Sequence, residues 1–175
     1  YTSSTQSNVT AIGKSALYSN TAGQNSALGV QALYSNTTGN DNNAFGVNAM
    51  YSTTTGSSNT AMGASALYSN TTASNNTAVG YQASYSQTTA GGDGGNTSLG
   101  AYALYANTNY RNTAVGYVSS QYVTGASNVS VGWGSLTGVN GSSTGSNNIA
   151  IGYQALTNNT TASYNTAVGY QAGYS

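Results

Sequence analysis

The sequence predicts an all-β fold, a parallel β-solenoid (β-roll) of about ten short turns of 16–20 residues, with two short strands in each turn. Three observations lead to it. A motif ending in glycine, such as Asn76-Thr77-Ala78-Val79-Gly80, recurs along the chain, apolar residues keep fixed offsets from that glycine, and length varies only in polar segments. A unit this short cannot bury a core by itself, so successive copies must stack on one another.

The glycine that closes each copy, called the repeat glycine below, sets the period of the chain. Glycine permits positive φ or close backbone approach, which suits a corner after a strand. Successive repeat glycines are 16 to 20 residues apart. They are Gly13, Gly29, Gly46, Gly63, Gly80, Gly100, Gly116, Gly132, Gly152 and Gly169.

The residues before each repeat glycine predict a first strand of four or five residues. The residue immediately before it is apolar in every copy, and the one before that is Ala or Ser. Such alternation, with β-branched residues, is typical of a short strand. We predict that the apolar residues form one continuous buried column, so that Val79→Asp would break the stack locally. The column is Ile12, Leu28, Phe45, Met62, Val79, Leu99, Val115, Val131, Ile151 and Val168.

The residues after the repeat glycine predict the second strand. Ala and Leu follow at offsets of three and four, as in Ala32-Leu33, and tyrosine follows at five, as in Tyr34. A polar connector rich in Asn, Thr and Gly then leads to the next copy. Its two longest insertions are expected to form outward loops, at residues 91–95 and 138–145.

Stacked turns bring equivalent residues over each other. Asn stands four residues before the repeat glycine in every copy except the first, where Val9 takes its place. We predict amide ladders from these residues and stacked columns from the tyrosines. Trp133 follows Gly132, at the offset where Tyr81 and Tyr153 follow their glycines, so it is expected to join such a column.

A disordered chain and a helical repeat are the two alternatives to the solenoid. An Asn-, Ser-, Thr- and Tyr-rich composition also occurs in prion-like disordered segments, but those have no physical reason to keep apolar residues at fixed offsets. A helical repeat is disfavoured because each unit contains Gly and several Asn, Ser and Thr, without an apolar stripe of 3.6-residue period.

The composition argues against catalysis and several kinds of partner. Lys14, Arg111, Asp41 and Asp93 are the only charged residues, and His, Cys and Glu are absent. We therefore predict no enzyme, no cofactor and no catalytic, cofactor-binding or metal-binding residue, because acid–base chemistry needs a suitable titratable group. The glycine-rich stretch around Asp93 carries one carboxylate, too few for a calcium site. Two basic residues make nucleic acid an unsuitable partner, and no apolar run is long enough to span a membrane.

The repeat resembles two related groups of proteins. The cores Asn128-Val129-Ser130-Val131-Gly132 and Asn148-Ile149-Ala150-Ile151-Gly152 are similar to the head repeats of trimeric autotransporter adhesins. The longer pattern Tyr-Gln-Ala-Leu-Tyr-Ser-Asn-Thr resembles repeats of phage tail fibres and bacterial surface fibres. The resemblance implies a parallel β-roll, commonly a trimer around a shared apolar axis, on a cell or virion surface. The 16–20-residue period departs from the shorter unit of the adhesin head.

Three functions are compatible with these features. The first is a structural protein, a rigid extracellular or virion fibre shaft with a possible adhesive role. The second is a carbohydrate- or receptor-binding adhesin module that uses exposed ranks of Tyr and Asn, with surface glycans or a host receptor as partner. The third is an ice-binding solenoid, suggested by Thr53-Thr54-Thr55 and Thr71-Thr72.

Assembly follows from the small size of the unit. A turn of about 17 residues encloses little apolar volume, so we expect a homotrimer that pools three apolar columns, with a single-chain solenoid as the alternative. We also expect residues 1–175 to form one repeat array within a longer fibre that associates along its axis. A head-to-tail copy would place its first repeat glycine 19 residues after Gly169, within the observed range of steps. No globular or helical cap is expected beyond Tyr1 or Ser175.

Overall fold

A computed structural model describes residues 8–87, 94–140 and 142–174. Tyr1, Asp93 and Ser175 lie outside the described residues. In the described part the chain is a parallel β-solenoid without helices, and ten strands of three residues form one sheet in sequential order. The strands are β1 Thr10–Ile12, β2 Ser26–Leu28, β3 Asn43–Phe45, β4 Thr60–Met62, β5 Thr77–Val79, β6 Thr97–Leu99, β7 Thr113–Val115, β8 Val129–Val131, β9 Ile149–Ile151 and β10 Thr166–Val168.

The register of the sheet follows the repeat. Each strand pairs in parallel with the equivalent residues of the next, so that Ala44 lies beside Ala61 and Phe45 beside Met62. The repeat-glycine N–H continues the pattern, since Gly46 donates to Leu28 O at 2.8 Å. The predicted fold class is therefore confirmed.

One detail differs from the prediction. In the described residues each turn contains one strand instead of two. The segment predicted as the second strand alternates left-handed residues with ordinary ones, as at Gln31 (φ 56°) and Leu33 (φ 50°). Ala32 and Leu33 are consequently both buried, whereas consecutive residues of a strand would face opposite sides. The segment still bonds to the next turn, since Leu33 N–H donates to Ala49 O at 3.0 Å.

The prediction that the residues immediately before the repeat glycines are buried is wrong, because these side chains point outward. Leu28, Met62 and Leu99 are 45%, 46% and 48% exposed, whereas the alanine or serine before each of them is buried. The alternation of the strand is as predicted, but the small residue faces the interior. The two walls of the turn lie close together, so Ala fits on one side and Ala-Leu on the other.

The interior is accordingly narrow, and it is not apolar throughout. One apolar cluster runs from Ala16 to Ala83, a second is formed by Ala103, Leu104 and Ala114, and a third extends from Val123 to Ala167. Serines occupy the intervals. In one interval Ser119, Ser120, Ser130 and Ser135 are linked through their hydroxyls at 2.7 to 3.0 Å.

The corrected register predicts different costs for two leucines of one turn. Leu33→Ala should lower the free energy of unfolding by about 2–5 kcal/mol, because it leaves a cavity in the interior. Leu28→Ala removes a half-exposed side chain and should cost clearly less when the chain is monomeric. Urea denaturation of the two variants measures the difference. Equal losses would contradict the inward position of Leu33.

Candidate functional site

An outward-facing apolar surface, called the outward stripe below, runs along the solenoid on both sides of the repeat glycines. It consists of the residues immediately before and immediately after each glycine. The first set is the column that was predicted to be buried. The second set is Lys14, Val30, Val47, Ala64, Tyr81, Ala101, Tyr117, Trp133, Tyr153 and Tyr170.

The outward stripe is unusual for its length and its lack of charge. Val47, Tyr81, Tyr117 and Val168 are among its exposed members, and Lys14 is its one charged residue. Its ten strands are separated by nine steps of about 4.8 Å, which makes it roughly 43 Å long. Contiguous exposed apolar surface of this kind marks an interaction site in soluble proteins.

The repeat glycines beneath the stripe permit close stacking. All ten repeat glycines have φ between 128° and 144°, and a Cβ on Gly63 would lie 2.3 Å from Gly80 O. Real Cβ atoms do not approach a carbonyl so closely. Glycine is therefore required here by the neighbouring turn as well as by φ.

A column of asparagines, four residues before each repeat glycine from Gly29 onward, joins the turns from inside. The predicted ladder is confirmed from Asn25 to Asn165: each Oδ1 accepts the backbone N–H of the next asparagine at 2.8 to 3.1 Å. The Nδ2 groups reach further carbonyls, as from Asn59 to Ala73 O at 3.0 Å. From Asn25 to Asn148 these side chains are almost fully buried. The asparagines of this column are thus internal, and they cannot supply the exposed Asn rank of the adhesin hypothesis.

The tyrosines five residues after the repeat glycines form the first aromatic ladder. Its rings are nearly parallel, with centroid separations of 5.0 to 5.3 Å. The predicted stacking is confirmed. The ladder consists of Tyr18, Tyr34, Tyr51, Tyr68, Tyr85 and Tyr105.

A second aromatic ladder belongs to the outward stripe. It contains Tyr117, Trp133, Tyr153 and Tyr170, with neighbouring centroids 5.0 to 6.2 Å apart. Trp133 therefore lies in a stack, as predicted. The sequence analysis did not predict that the second ladder begins where the first one ends. Tyr102, which departs from the repeat pattern at this point, could have indicated it.

Comparison with protein-family models, with curated proteins and with solved structures gave no match. The resemblance to fibre and adhesin repeats therefore stays a resemblance of sequence pattern, with the β-solenoid architecture as its structural counterpart.

The described residues do not combine into a metal or membrane-spanning site. Across residues 8–87, 94–140 and 142–174, no group of three or more His, Cys, Asp or Glu side chains could hold a metal ion. The same ranges contain no helix long and apolar enough to cross a membrane. Asp41 is exposed in a connector, and Arg111 lies over the Tyr110 ring, 5.2 Å from its centroid.

Proposed function

We propose that the chain is a structural protein, a segment of a rigid fibre shaft on a cell or virion surface. Its strands β1 to β10 pair in parallel without interruption, and this is the observation that carries the proposal. Every turn is held by backbone bonds and, over most of the length, by the Asn column and an aromatic ladder. A stack joined in this way resists bending, because bending would stretch these bonds on one side.

We further propose that copies of the chain pack through the outward stripe into a parallel homotrimer. The stripe has two columns, one on each side of the glycines, so each chain can contact one neighbour with each column. Contacts between two different surface patches form a ring when the rotation between neighbouring chains closes. Three chains would cover both columns of every copy around one apolar axis, and equivalent residues would meet at equal height. The near absence of charge in the stripe suits such an axis, since like charges would otherwise face each other.

The adhesin alternative has less support. Sugar rings pack on the open faces of aromatic side chains, but within both ladders each face is covered by the next ring. The amides of the asparagine column are internal from Asn25 to Asn148. The ice-binding alternative is weakened as well, because Thr53 is buried and the Thr54 hydroxyl donates to Thr71 O at 3.2 Å.

The proposal is tested by measuring the mass of the purified protein in solution and by imaging its shape. We expect sedimentation equilibrium to give the mass of three chains, and electron micrographs to show straight rods. Met62→Asp places a charge in the middle of the outward stripe, and it should reduce the assembly to single chains because three buried carboxylates would face each other.

Thr72→Asp is the matched control, since Thr72 is exposed in the connector of the neighbouring segment, away from the stripe. It should leave the trimer intact. Far-ultraviolet circular dichroism confirms that both variants keep the β-fold. A wild-type chain that stays single at micromolar concentration would overturn the trimer, and flexible strings in micrographs would overturn the shaft.

A further inference from the structure

The aromatic rings form one continuous path of contacts along the solenoid. From Tyr18 to Tyr105 the path follows the first aromatic ladder, and from Tyr117 to Tyr170 it follows the second. Tyr102 joins them, with its centroid 5.8 Å from that of Tyr105 and 6.1 Å from that of Tyr117. No step along the path exceeds 6.2 Å between centroids.

Tyr102 is not explained by the repeat. It stands two residues after its repeat glycine, where other copies have Ser, Gln, Asn, Val or Gly. It adopts φ 58°, a left-handed conformation that is unfavourable for a bulky residue. It lies in the turn where the first ladder ends, and among the described residues it is the ring that contacts both ladders. A shaft needs stacking within each ladder, but it does not need contact between the two.

We propose that this aromatic path carries one-electron oxidising equivalents along the solenoid. Phenol and indole are the side chains here that lose an electron most readily to a strong oxidant, and rings in contact exchange electrons efficiently because electron tunnelling weakens steeply with distance. The proposal is separate from the shaft function, which requires only that the rings pack.

Each transfer step moves one electron between neighbouring rings and exchanges one proton with water at each ring. An external one-electron oxidant, such as a surface-bound metal complex or an oxidising radical, takes an electron from the first tyrosine, whose phenolic O–H releases its proton to water. The resulting tyrosyl radical takes an electron from the next ring and a proton from water, and becomes tyrosine again. The next ring loses its own proton to water, from a phenolic O–H or from the indole N–H of Trp133.

The surroundings of Tyr85 and Tyr102 favour the protonated phenol that this step requires. Tyrosine ordinarily has a pKa near 10. Desolvation by burial, followed by repulsion from the neighbouring Tyr68 and Tyr105, raises the pKa of Tyr85. Desolvation, together with Tyr81 and Tyr117, raises the pKa of Tyr102 in the same direction. In the single chain the tyrosines of both ladders are half-buried or exposed, so water can exchange protons with them, and the first ladder lies outside the stripe that the proposed trimer would cover.

The test uses the absence of cysteine from the chain. Thr21→Cys introduces one thiol at an exposed connector position close in sequence to Tyr18, and a metal-complex photo-oxidant is attached to it. Trp133 is the single tryptophan, so its radical has a distinct transient absorption. Eight ring-to-ring steps separate Tyr18 from Trp133 along the path, too far for direct oxidation by the label.

We expect a flash to produce the Trp133 radical in the labelled chain, and Tyr102→Phe to abolish it. Phenylalanine keeps a ring in place but is far harder to oxidise. Tyr51→Phe, inside the first ladder, should abolish it as well, which guards against a local defect at Tyr102. Tyr164→Phe is the control, because Tyr164 is highly exposed and outside the path.

Two outcomes would overturn the proposal. One is that no Trp133 radical forms in the labelled wild-type background. The other is that Tyr102→Phe and Tyr51→Phe, both shown to be folded by circular dichroism, give the same radical yield as Tyr164→Phe.

Discussion

Gly63→Ala is expected to break the solenoid between two turns and to lower the free energy of unfolding by about 4 kcal/mol or more. The added Cβ would lie 2.3 Å from Gly80 O and 2.6 Å from Gly80 C, and φ at Gly63 is 144°. Neither atom can yield alone, since both belong to the backbone of the next turn. The two turns must therefore move apart, and this lengthens or breaks the hydrogen bond from Gly80 N–H to Met62 O, which is 2.8 Å long.

The measurement is urea denaturation followed by circular dichroism. In a repeat array stability is a sum of units and of the contacts between neighbours. A defect at Gly63 should therefore lower the midpoint and also divide the single transition into two, one for each side of the defect.

Gly169→Ala is the matched control for this prediction. Its φ of 132° is similar, but among the described residues its Cβ would meet only the Ala172 Cβ, at 3.9 Å. It should lower the free energy of unfolding only by the cost of backbone strain, about 1–3 kcal/mol. If both variants lose the same stability, then the contact between turns is not what requires glycine.

Asn59→Leu is expected to lower the free energy of unfolding by about 3 kcal/mol or more. Leucine has nearly the same shape but no polar atoms. Asn59 Oδ1 accepts the backbone N–H of Asn76 at 2.9 Å, and Asn59 Nδ2 donates to Ala73 O at 3.0 Å and to Asn42 Oδ1 at 3.1 Å. The substitution leaves the buried backbone N–H and the Nδ2 of Asn76 without their acceptor, at a cost of about 1–3 kcal/mol each. Ala73 O and Asn42 Oδ1 keep other donors, Asn70 Nδ2 and the backbone N–H of residue 59.

Asn40→Ala is the control, because Asn40 is exposed and its side chain donates one bond, to Thr38 O at 3.2 Å. It should change stability by no more than about 0.5 kcal/mol. Thermal and urea denaturation of both variants gives the comparison. A chain that tolerates Asn59→Leu as well as Asn40→Ala would show that the buried column contributes little.

Much of the architecture could be predicted from local pattern, because stacking turns the repeat directly into columns. The glycine period determined the number of turns and their parallel register. Asn at a fixed offset determined the amide ladder, and tyrosine at a fixed offset determined the first aromatic ladder. These features need only that equivalent residues lie over each other, which any solenoid with this repeat ensures.

The tertiary structure decided which side of each strand faces the interior. Alternation places Ala78 and Val79 on opposite faces, but it does not say which face is inside. Size decides, since the opposite wall carries consecutive inward residues such as Ala66 and Leu67 and leaves room for alanine only. That wall depends on left-handed backbone at non-glycine residues, Ser65 and Leu67 among them, which local propensity disfavours and only the packed turns above and below can stabilise. For the same reason the contact of Tyr102 with both ladders depends on neighbouring turns, and it becomes visible only when they are stacked.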